Sequence, residues 1–192
     1  MLSTEETAVS NDLRQQEYNM IVLPSTLADG DTIDIRLRLP NGADYIVLSK
    51  KKVKLADLNG AVSATTILIN VTEDQILTMS AAIVDAYKIS GSKLYATKYT
   101  DPGLQAVATA TYIPSNDTIN LIDKDPNIVT TARNALITRY NENYSTYRTG
   151  IQSTINSIES STQQSRVESG TSSETATQQS ERKTYLDSLA GE

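Results

Sequence analysis

The chain has 192 residues, enough for one domain with an extension or for two small ones. It contains no Cys, His, Trp or Phe, which excludes a disulfide, a thiolate or imidazole zinc site, a Ser-His-Asp triad and a His base within the chain. A net charge of −6 argues against a general nucleic-acid binder.

The opening "MLSTEETAVSNDLRQQEY" has neither a basic start nor an apolar core, so it does not read as a signal peptide. No apolar run approaches a membrane span. The expectation is a soluble protein made in the cytoplasm. Residues 1–18 form an N-terminal arm, read as a short helix, a docking arm or a frayed terminus.

Residues 19–124 have the texture of strands. "TIDIRLRL" alternates, with Ile33, Ile35, Leu37 and Leu39 on one face and Thr32, Asp34, Arg36 and Arg38 on the other. "NGAD" follows Pro40 as a turn, and "YIVL" and "KVKL" continue as strand. "AVSATTILINV" is rich in β-branched residues. "TEDQILTM" breaks the pattern: Thr72 with Gln75 forms a capping box for one or two helical turns. "AAIVDAYKI" and "KLYATKY" read as a hairpin about Gly91, "TDPG" as a turn, "LQAVATATYI" as a long strand and "DTINLI" as one more. About seven short strands with turns between them predict a mainly β fold, an antiparallel β-sandwich of Ig-like or jelly-roll-like kind.

At Asp125-Pro126 the texture changes. Asp125 can cap a helix, and Pro126 suits its first turn, where the missing N–H has no helical partner. From there an apolar line runs through Leu136, Tyr140, Tyr144, Tyr147, Ile151, Ile155 and Ile158, in steps of 4, 4, 3, 4, 4 and 3. The line is narrower than the face of an ordinary surface helix, and its eleven-residue repeat suits a straight or slightly right-handed bundle. The seven residues therefore predict an oligomer or partner interface on a long helix 125–158, with a homotrimer favoured. The competing reading packs the same line against the chain's own β-domain. Gly150 interrupts it and marks a bend or joint. Residues 159–192 are a Ser/Thr/Gln-rich tail, expected to be disordered or held only by a larger assembly.

Candidate sites are sparse. Asp29, Asp31 and Asp34 faintly resemble a calcium loop but lack its distal Glu, so they read as turn residues. Lys50, Lys51, Lys52 and Lys54 are a possible docking patch, or the exposed face of an edge strand. Tyr45, Tyr87, Tyr95, Tyr99 and Tyr112 are the aromatics a sugar site would use. No cofactor, metal site or catalytic group is expected, and the chain does not read as an enzyme.

A β-domain, then Asp-Pro, then an oligomerising helix, without Cys or His, resembles upper baseplate and fibre-adaptor proteins of tailed bacteriophages. "DTIDIRLRLPNGADYIV" and "ISGSKLYATKY" are similar to strand-turn-strand segments of their N-terminal domains. The resemblance covers roughly residues 20–160 and implies a virion protein made in the host cytoplasm. Its β-domain would dock on the particle, in baseplate, neck or fibre, and its helix would trimerise or bind other virion structural proteins. The departure is the end of the chain, where a polar tail stands in place of a receptor-binding domain. The alternative expectation is a surface- or carbohydrate-binding β-domain on a coiled-coil stalk.

Overall fold

The computed structural model describes residues 10–58 and 60–190, and residues 1–9 of the expected N-terminal arm lie outside them. Five strands, β1 (Arg14–Tyr18), β2 (Thr32–Arg38), β3 (Asp44–Leu58), β4 (Ala61–Val71) and β5 (Lys93–Lys98), form one sheet in the order β1-β4-β3-β2-β5. Every neighbouring pair is antiparallel. The helices are α1 (Glu73–Lys88), α2 (Asn116–Lys124), α3 (Thr130–Asn143), α4 (Thr149–Asn156) and α5 (Ser160–Ala190), with a π-helical turn, Tyr144–Arg148, joining α3 to α4.

The expectation of a mainly β sandwich is overturned. Helix accounts for 46% of the chain and strand for 25%. The apolar face of the single sheet is covered by helices where a sandwich would place a second sheet, which makes this an α+β fold. The strands read from alternation are present. Ile33, Ile35 and Leu37 of β2 are fully buried, while Arg36 and Arg38 face the other way. β3 bulges twice against β2, with Ile33 opposite Lys51, Ile35 opposite Leu48 and Arg36 opposite Ile46, and the first bulge adds one residue between Leu48 and Lys51. Lys50 absorbs this bulge at φ +51°, a conformation that is costly for a residue with a Cβ. Asp34 holds it there, its Oδ1 accepting from the Lys50 N–H at 2.9 Å.

Three expected strands are something else. The Thr72–Gln75 capping box does start a helix, with the Thr72 N–H donating to Gln75 Oε1 at 3.2 Å. That helix, α1, continues through "AAIVDAYK", because Thr78, Met79, Ala82 and Asp85 fall on one helical face and are buried. "LQAVATATYI" is irregular backbone that runs beside the first half of β3, where the Thr111 and Tyr112 N–H groups both donate to Ile46 O at 2.9 Å. "DTINLI" lies in α2, capped by Ser115, whose Oγ accepts from the Thr118 N–H at 3.4 Å. Residues 14–18 of the expected arm form the edge strand β1.

The helix expected over 125–158 is divided. Asp125 ends α2, and α3 starts only at Thr130. A π turn adds one residue to the local repeat, which rotates the downstream face by roughly 100°. The two halves of the apolar line consequently face different cores. Leu136 and Tyr140 pack with Ile119, Ile122 and Ile128 in a small cluster beside α1. Tyr147, Ile151, Ile155 and Ile158 join the main core on the sheet. Tyr144 sits between them, edge-on to Tyr140 with ring centroids 5.0 Å apart. Leu136, Ile151 and Ile155 of this line are buried within the chain, Ile151 fully, while Tyr140, Tyr144, Tyr147 and Ile158 are half-buried.

Candidate functional site

The most tightly built polar cluster joins α1, the segment after β5 and the π turn. Arg148 is 1% exposed, Asp85 4% and Tyr112 not at all. Asp85 Oδ2 accepts from Arg148 Nη1 and, at 2.7 Å, from the Tyr112 hydroxyl. Arg148 Nη2 donates to Gln152 Oε1 at 2.9 Å, and Gln152 Nε2 donates to Asn156 Oδ1 at 2.8 Å, which extends the chain of bonds along α4. Burial alone would lower the Arg148 pKa, but the Asp85 carboxylate and the Tyr112 hydroxyl beside it outweigh burial and hold it above its usual value. Burial, and then the charge of Asp85, push the Tyr112 hydroxyl well above the ordinary tyrosine range.

An open cleft of about 530 Å³ lies against this cluster. Asp85, Lys88, Asn116, Arg148 and Gln152 give it polar walls, and Leu77, Val84, Leu121 and Ile155 give it apolar ones. Its chemistry is limited by what those groups already do. A single Asp85 oxygen takes both the Arg148 and Tyr112 hydrogens, and Tyr112 is out of reach of solvent. The arrangement acts as a clasp: removing one partner would strand a buried charge, at a cost of about 3–5 kcal/mol.

A second polar site is the seat of α5. This 31-residue helix has no buried residue among those described. It is held by a line of polar contacts spaced as one helical face. Gln163 Nε2 donates to Ile155 O and Ile158 O, both at 2.8 Å, and Arg166 Nη1 donates to Lys88 O at the end of α1 at 2.8 Å. At Gly170 the Tyr87 ring lies so close that a Cβ would come within 2.6 Å of it. The Tyr87 hydroxyl donates to Glu174 Oε2 at 3.2 Å, and its pKa is pushed up to about 12 by burial and by Glu174. Glu181 accepts from the Ser63 hydroxyl at 3.0 Å and from Thr66 at 2.6 and 2.8 Å. Beyond this seat, Tyr185, Leu186 and Leu189 are exposed.

The three aspartates of the calcium-like stretch do not converge. Asp29 accepts from Leu55 N, Asp31 from Ala28 N and Lys98, and Asp34 from Lys50 N. Among the described residues no group of three such ligands could hold a metal. The four lysines do not make one patch either. Lys50 donates to Gln105 O, and Lys51 to Asn70 O and Gln75 Oε1, while Lys52 and Lys54 are exposed. The five tyrosines are dispersed as well. Tyr45 and Tyr112 are buried, Tyr87 packs under α5, Tyr99 accepts from the Ala108 N–H, and Tyr95 lies on the sheet face that the core does not use.

Sequence reasoning passed over the clasp. Asp85 is the one charged residue in "AAIVDAY", a legible sign of a buried partner, but Arg148 sits among polar neighbours and only the fold brings the two together. Comparison with known proteins finds no matching family model, no curated relative and no similar solved structure.

Proposed function

We propose that this chain is a non-enzymatic structural component of a tailed-phage particle, an adaptor in the baseplate, neck or fibre that joins other virion proteins. The observation that supports the reading is α5, a long polar helix fastened along one face and carrying exposed Tyr185, Leu186 and Leu189 at its end. A Ser/Thr/Gln-rich helix has little intrinsic stability, so it persists by being held. One side is held by the chain's own sheet and α1, and the other is open to further proteins. The two polar sites add to this reading, since each is built from groups that fasten elements together. Nothing favours the carbohydrate-binding alternative, because the described tyrosines do not form an exposed row.

Particle membership is the direct test. An antibody raised against the chain and used for immunogold labelling of purified tailed-phage particles, produced by cells carrying its gene, should mark one substructure. Intact particles that carry none of the chain would overturn the proposal.

A further inference from the structure

On the sheet face opposite the core, three cations gather around one aromatic ring. The Arg38 guanidinium carbon lies 4.9 Å from the Tyr95 ring centroid, and Lys93 Nζ lies 5.8 Å from it. Arg36 stands beside them on β2, its Nε donating to Asp44 Oδ1 at 2.6 Å. The Tyr95 hydroxyl donates to Asp44 Oδ2, so the carboxylate fixes both the ring and Arg36. Arg38 reaches the same carboxylate only at 3.9 Å and keeps nearly half its side chain in solvent. Arg38 and Lys93 are also direct cross-strand partners, a like-charge pairing that a sheet ordinarily avoids.

The cluster is thus three cations against one carboxylate, on a chain whose net charge is −6. An anionic group bound between Arg38 and Lys93, beside the ring and off its negative face, would relieve this uncompensated repulsion. Exposed Val22 bridges to Tyr95 along the outer edge of β5, so apolar surface borders the charges. Arginine and tyrosine held rigidly beside apolar surface are the composition of an interface hot spot. Cation forks of this kind fit carboxylates bidentately.

We propose that Arg36, Arg38, Lys93 and Tyr95 form the docking surface for an acidic, Asp/Glu-bearing segment of a partner protein. A polypeptide fits better than a nucleic acid. The positive area is small, Asp44 lies within it, and the rest of the chain repels a long polyanion. The inference deepens the adaptor reading by naming the chemistry of one partner. Its test reads the surface itself, whereas immunogold labelling reads particle membership, so the two can fail separately.

The test is fluorescence anisotropy of a labelled octaglutamate peptide with the full chain at low salt. The peptide should bind, and Arg38→Ala/Lys93→Ala should weaken binding at least fivefold. Lys52→Ala/Lys54→Ala removes the same charge from exposed positions of β3 outside the cluster and should stay within twofold of the parent chain. Circular dichroism of both variants checks that the fold is kept. Failure of the peptide to bind would overturn the proposal, as would equal weakening by the two double variants, which would mark general attraction. Tighter binding of an oligothymidylate of matched charge would overturn it in favour of nucleic acid.

Discussion

Gly150 and Gly170 look equivalent in the sequence, each a single glycine in a helical stretch, yet their surroundings give opposite expectations. Alanine is favoured over glycine in a helix by about 1 kcal/mol. At Gly150 a Cβ would meet only the Tyr45 hydroxyl at 3.4 Å, an ordinary contact, so Gly150→Ala should raise the melting temperature. At Gly170 the Cβ would enter the Tyr87 ring, so Gly170→Ala should lower it, since α5 must lift or Tyr87 must give up Glu174. Thermal unfolding followed by circular dichroism separates the two, and a matching rise in both variants would refute the tight seat. Glu17 offers a pH test beside the same seat. Burial, and then the nearby Glu181 charge, raise its folded pKa above the usual carboxylate value. The folded state therefore favours the protonated form, and stability falls as pH rises from the unfolded pKa through the raised folded one. Glu17→Gln should melt higher than the parent chain at pH 7, and the difference should close near pH 3. A gap that persists in acid would mean the gain comes from something other than ionisation.

Among the elements, those written in side-chain alternation were legible. β2, β3 and β4 announce themselves because one face is buried and the other wet, and the α1 start is announced by Thr72 and Gln75. The misread elements are those whose local signal is shared by two structures. "AAIVDAYK" has β-branched residues that suit a strand, but its buried positions fall at helical spacing, and packing decides in favour of the helix. α5 was the least legible because its docking line is written in Gln163, Arg166, Gly170, Glu174 and Glu181, so no apolar period reveals it. The line from Leu136 to Ile158 was legible as a helical face, but the sequence carries no sign of the π turn that aims its halves at two cores. Of the sites, the cluster around Tyr95 was invisible because β2 and β5 meet only in the folded sheet. The visible run Lys50–Lys54 is dispersed by alternation and by the Lys50 bulge.

For the whole molecule, placing Ile151 and Ile155 under the sheet changes what their substitution should do. Ile155→Asp puts an unpaired charge into the main core and should cost about 3–5 kcal/mol of folding stability. Exposed Ser153→Asp should stay within about 0.5 kcal/mol of the parent chain. If the line serves its own chain, the Ile155→Asp loss is the same at every protein concentration. If it were a seam between chains, the melting temperature of the parent protein would climb with concentration and the variant's would not. Thermal scans over a hundredfold dilution decide between them.

The polar seat of α5 also sets how that helix answers its surroundings. Peeling it from the sheet would expose hydroxyls, amides and carboxylates more than hydrocarbon, so the opening carries little heat-capacity change and depends weakly on temperature. The body of the protein, built on buried isoleucine and leucine, opens with the strong curvature that apolar hydration imposes. Cooling weakens the core before it loosens the strap, because hydrocarbon burial fades in the cold while the strap's bonds to carbonyl and hydroxyl partners do not depend on it. The chain thus contains two mechanical units with different thermal responses, a core whose stability curves with temperature and a strap whose attachment is nearly flat.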